Sequence, residues 1–117
     1  MTKTYDLEER TALFAKNVRL FVKLLPRSIS NTEDIKQLVR SSGSVGANYI
    51  EANDSLSKKD FLMRIKICRK EAKESRYWLK LLDVGENHVI AKERDKLFQE
   101  STELMNIFGA IVRKTEK

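Results

Sequence analysis

Between Phe61 and Leu82 the residues Phe61, Ile65, Cys68, Ala72, Ser75, Leu79 and Leu82 follow one another at spacings that alternate four and three. That 3.5-residue repeat is the period at which one helix face meets another, side chains interlocking knob into hole. It is incompatible with a strand, where every second residue shares a face. Three more segments carry similar seams: Leu7, Phe14, Val18, Phe21 and Leu25; then Ile35, Leu38, Ser42, Val45, Tyr49 and Ala52; then Ile90, Leu97, Ser101, Leu104, Phe108 and Ile111. One proline and four glycines in 117 residues leave too little turn punctuation for an all-β chain. The pattern predicts an all-α protein, a single domain over 1–117, with helices at about 6–25, 31–54, 58–84 and 90–114. Short connections make it an antiparallel up-down four-helix bundle.

End signals agree with these spans. Asp6, Glu8 and Glu9 place negative charge in a first turn, and Pro26 stops the first helix. Ser30 and Glu33 have capping-box spacing, Ser57 reads as a further cap, and Gly85 stands where a C-terminal glycine is expected. The second segment is unusual in its middle, where Gly43 and Gly46 together cost a helix about 2 kcal/mol relative to alanine. Close approach of a neighbouring helix is the simplest compensation.

Several apolar residues fall outside the four seams. Leu13, Leu20 and Leu24 form a second line on the first helix, Ile67 and Trp78 a second line on the third with Glu71, and Phe98, Met105 and Val112 widen the fourth. Either the core stripes are broad, or a face is left for another copy of the chain. Arg40, Ser44, Ala47 and Glu51, opposite the seam of the second helix, make a small polar line on which another helix can pack closely.

Catalytic constellations are scarce. A single cysteine excludes an internal disulfide, and a single histidine excludes a metal site built from several His or Cys ligands, di-iron bundles included. Cys68 lies on a core seam, and His88 is a surface residue in the loop before the fourth helix. Gly43–Gly46 has the form of a phosphate-clamping GxxG loop but lacks the strands of that module, so it reads as a helix contact. No enzyme activity, cofactor or metal is expected. The N-terminus lacks the apolar run of a signal peptide and no stretch approaches a membrane span, which makes the cytoplasm the expected compartment.

Charge is the strongest functional lead. The net charge is +6, and residues 58–84 hold nine basic side chains against four acidic. Lys59, Lys66, Lys70, Lys73 and Lys80 lie along one side of that helix, flanked by Arg69, Arg76 and Tyr77, while Lys16, Arg19 and Lys23 add a patch on the first helix. Two readings stay open: a track for a phosphate backbone, structured RNA foremost and DNA next, or a solvated face on a scaffold whose partner is another protein. Tyr77 is the one aromatic beside the stripe that could stack on a base.

The runs Tyr5–Thr11, Ser42–Ala52, Lys59–Phe61 and Glu71–Leu79, above all Ser-Val-Gly-Ala-Asn-x-x-Glu-Ala and Glu-Ala-x-Glu-Ser-x-Tyr-Trp-Leu, resemble the bacterial four-helix-bundle family named for 23S rRNA intervening sequences. The resemblance extends from Tyr5 to about Arg113. It implies a ring-like homopentamer and no enzymatic activity. A related member, the accessory protein of diversity-generating retroelements, is a basic pentameric barrel that binds nucleic acid and a reverse transcriptase. A ring would give Leu13, Leu20, Leu24, Ile67 and Trp78 a buried place.

Overall fold

The structure, a computed structural model, describes residues 6–117; Met1–Tyr5, with the Tyr5 of the first family motif, lie outside the described residues. Four helices follow in order: α1 Leu7–Val22, α2 Ile29–Asn53, α3 Lys58–Leu81 and α4 His88–Glu116. Each begins at a side chain that accepts from the otherwise unpaired amides of a first turn: Asp6 from Glu8 N, Ser28 from Asn31 N, Ser57 from Asp60 N, and Asn87 from Val89 N and Ile90 N.

Four of the expected ends move. Ser28, not Ser30, caps α2, because the first turn is positioned by Asn31. This residue is buried, donates through Nδ2 to the carbonyls of Pro26 and Asp83 at 2.9 Å each, and accepts from Asp83 N. One amide thus ties the α1–α2 loop to the α3–α4 loop. The first helix stops at Val22 rather than Leu25, its last turn tightened by i to i+3 bonds from Leu24 N and Leu25 N before Pro26. Gly85 adopts φ +68° within the α3–α4 turn, three residues beyond the extended C-cap Leu82, so it turns the loop rather than capping α3. Asn87 starts α4 early enough to make His88 its first residue, exposed to solvent, instead of a loop residue.

Neighbouring helices run antiparallel, as their side-chain pairs show. Asn53 near the end of α2 donates to Glu8 at the start of α1, Arg64 reaches Asn48, and Arg76 reaches Thr102. Arg10 on α1 forks onto Glu100 of α4 and also reaches Glu103; the hydrogen bond to Glu100 and the two carboxylate charges push the Arg10 pKa up against a partial burial penalty. Packing joins α1 to α2, α2 to α3, α3 to α4 and α4 back to α1, which puts α1 and α3 at opposite corners. The lysines of α1 and the basic stripe of α3 therefore belong to different sides of the molecule.

The seams form the core. Phe14, Val18, Leu38, Val45, Ile65, Cys68, Ala72, Leu79, Leu104 and Phe108 are all buried, with Leu7, Ile35, Tyr49, Phe61, Ile90 and Ile111 packed around them. Buried hydroxyls are satisfied locally: Ser41 and Ser75 share a 2.8 Å bond across α2 and α3, and Ser75 also donates to the Glu71 carbonyl. Burial pushes the Cys68 thiol up to about 12. A thiol probe at pH 8 should leave it unmodified in the native protein and label it fully in denaturant; fast native labelling would contradict this packing.

The small middle of α2 is explained by α1. A Cβ on Gly46 would stand 2.8 Å from Oγ1 of Thr11, a group held by the carbonyls of Leu7 and Glu8. Gly46→Ala should therefore destabilise the fold by about 1–2 kcal/mol despite about 1 kcal/mol gained in helix propensity. A thermal melt checks this: an unchanged or raised Tm would mean that the helices separate freely.

Candidate nucleic-acid interface

The outer surface between α3 and α4 is a groove of about 460 Å³. One wall is Lys66, Arg69, Lys70 and Lys73 from α3, and the other is Met105, Asn106, Gly109 and Arg113 from α4. Five cationic side chains thus line one concave strip. The 3.6-residue turn makes this possible, since positions 66, 69, 70 and 73 recur at three- and four-residue steps on one face. The nearest carboxylate pairing is at one end, where Glu116 in the last turn of α4 meets Lys66 at 3.3 Å.

Of the seven basic residues singled out on α3, four line this groove. Lys59 lies at one end beside a separate, largely apolar cleft of about 400 Å³ formed by Leu62, Met63, Ile67 and the stems of Lys66 and Lys70. Lys80 is exposed near the other end of the helix. Arg76 departs from the expectation. Its guanidinium lies 4.4 Å above the Phe98 ring and its Nε donates to Thr102 Oγ1 at 2.8 Å, so it packs α3 onto α4. Arg113 and Asn106 were not anticipated. The signal was available: an antiparallel α3–α4 hairpin turning near Gly85 brings the end of α4 alongside Lys66 and Arg69.

The residues expected at an interface between copies separate into two groups. Leu13, Leu20 and Leu24 are 56%, 55% and 52% exposed, a half-open apolar line along α1 and the turn after it. Ile67 is partly covered in the cleft beside Met63, Ala47 and Glu51 are exposed, and Ser44 accepts from Asn48 Nδ2. Glu71, by contrast, is 7% exposed and holds Arg40 across α2 and α3, and Arg40 also holds Glu74. The hydrogen bonds that Arg40 donates to Glu71 are the main reason the Arg40 pKa is raised. Arg40 and Glu71 thus link α2 to α3 within the chain, Glu71 buried and the Arg40 side chain half exposed. Trp78 packs against the core, edge-on to Tyr77 at 5.1 Å, with its buried Nε1 unpartnered. Of the residues widening the fourth seam, Val112 is buried and Phe98 lies beneath Arg76.

With this geometry in hand, comparison with known proteins is decisive for kinship. Residues 3–110 match the family described as 23S rRNA-intervening sequence protein. The chain belongs to that family. A crystal structure from Bacteroides thetaiotaomicron, of a protein with unknown function from the S23 ribosomal protein family, is similar at a TM-score of 0.75 and 28% identity, over 92% of this chain and 98% of that one. No curated protein sequence matches it. Family membership accounts for the four-helix architecture and leaves the chemistry of the α3–α4 groove to be argued from its own side chains. No helix among the described residues is long and apolar enough to cross a membrane.

Proposed function

We propose that this member of the 23S rRNA-intervening sequence family is a non-catalytic, homo-oligomeric protein that holds the backbone of structured RNA in the α3–α4 groove. The observation that carries the reading is the convergence of Lys66, Arg69, Lys70, Lys73 and Arg113 on one concave strip. Arginine and lysine so placed suit phosphate oxygens, and association would be driven by release of counterions. The test is fluorescence anisotropy of a labelled RNA hairpin and a matched DNA duplex between 50 and 200 mM salt. With about five phosphates neutralised, affinity should fall on the order of a hundredfold or more over that range. Absence of binding at 50 mM salt would overturn the reading.

Self-association rests on the exposed line of Leu13, Leu20 and Leu24 and on the cleft at Leu62, Met63 and Ile67. Burying such lines removes apolar surface from water at about 25 cal/mol per Å². The resemblance implies a ring-like pentamer, and in such a ring five basic grooves would act together. Replacing Leu13, Leu20 and Leu24 with glutamine should convert the assembly to monomers in sedimentation velocity while the helical circular dichroism stays unchanged. A variant that sediments like the parent would remove α1 from the interface.

The same apolar line favours a second reading, in which the chain is an oligomeric scaffold for another protein and the basic face only solvates it. In that case the anisotropy titration is flat, and the leucine variant loses its partner instead of its own copies.

A further inference from the structure

The floor of the groove contains a feature that a simple track of lysines does not require. Gly109 lies buried well inside α4, where glycine is disfavoured relative to alanine. A Cβ at this position would stand 3.4 Å from Nη1 of Arg113 and 3.7 Å from Cδ of Arg69, ordinary contact distances, so the backbone packing alone would accept alanine. What fills the space is the two arginines. Arg113, one turn further along α4, reaches back over Gly109 in the direction helical side chains lean, and Arg69 comes across from α3.

Their charges are not neutralised. Among the described residues neither Arg69 nor Arg113 pairs with a carboxylate, whereas Arg10, Arg40 and Arg94 all do. Each presents a planar, cationic fork that matches the oxygens of a phosphate. Nη1 of Arg113 and Cδ of Arg69 flank Gly109, and with Lys66, Lys70 and Lys73 lining the same groove the local field favours an anion there.

We propose that Arg69 and Arg113, converging over Gly109, form a discrete site for one phosphoryl group. The inference rests on the groove being the nucleic-acid face, and it names the point where a phosphate is gripped rather than merely attracted. The phosphoryl group can come from a chain end, as a monoester, or from the backbone, as a diester.

The test uses one RNA hairpin in two forms, with a 5′-phosphate and with a 5′-hydroxyl, titrated into the full chain and into Arg113→Lys, Gly109→Ala and, as a neighbouring control, Lys114→Gln. Arg113→Lys keeps the charge and loses the fork, and it should weaken binding by about tenfold, against less than about twofold for Lys114→Gln. Gly109→Ala, whose Cβ meets both arginines at ordinary contact distances, should raise the Tm through helix propensity and keep RNA affinity within about twofold of the parent's. If only the 5′-phosphorylated hairpin loses affinity in Arg113→Lys, the site takes a terminal monoester; if both forms lose it equally, the site takes a backbone diester. Wild-type affinity in Arg113→Lys, for RNA that the parent binds, overturns the phosphoryl site and leaves the groove reading standing. Failure of the parent chain to bind either hairpin overturns both.

Discussion

Replacing Lys66, Lys70 and Lys73 together with glutamine should weaken RNA hairpin binding by about 30- to 100-fold near 100 mM salt. These three form most of one groove wall, yet among the described residues Lys70 and Lys73 are exposed and pair with no carboxylate, and Lys66 meets the exposed Glu116. The fold should therefore be indifferent to the change. Glutamine keeps the helix propensity of lysine to within a few tenths of a kcal/mol, so circular dichroism and Tm should stay close to those of the parent. The salt dependence is the sharper readout. Each phosphate contact contributes about 0.9 to the slope of log K against log salt on a duplex, so removing three should flatten it by about two to three units. Unchanged affinity with an unchanged slope would relocate the interface, and the α1 patch of Lys16, Arg19 and Lys23 would be the next to vary.

Phe108→Ala should have the largest effect on the fold itself. The ring is fully buried where α4 faces the seams and meets Tyr49 of α2 with ring centroids 5.8 Å apart. Its removal discards buried apolar surface and leaves a cavity, at a cost of about 3–5 kcal/mol. In a domain of this length that corresponds to a Tm lower by roughly 10–20 °C. A fall of only a few degrees would mean that the surrounding residues collapse into the space, and that the core is looser than its packing indicates.

The helices were legible because a 3.5-residue repeat is a local property. Phe61, Ile65, Cys68, Ala72, Ser75, Leu79 and Leu82 announce a buried seam without reference to any other part of the chain. The close approach at Gly46 was equally open to inference, since two glycines inside a long helix need a reason. What failed was tertiary. The start of α2 depends on Asn31 bridging to Asp83, and the pairing of Arg40 with Glu71 depends on two helices meeting 31 residues apart. Arg76 shares a side of α3 with the lysines in any helical projection, but Phe98 and Thr102 lie beside it on α4 and hold it. The second wall of the groove was missed for the opposite reason: Arg113 and Asn106 stand far along the chain from the basic run and become its neighbours only once the hairpin closes.

Asn31 bears on the order in which this chain assembles. Its side chain joins the connection inside one helical hairpin to the connection inside the other, across 52 residues. The link closes the open end of the α2–α3 pair, so it can form only once those two helices have packed along their length and offset the entropy of the loop between them. A contact made after that packing slows unfolding more than it speeds folding. Losing this one buried amide should therefore hasten the parting of the two loops and leave the rate of helix pairing almost unchanged.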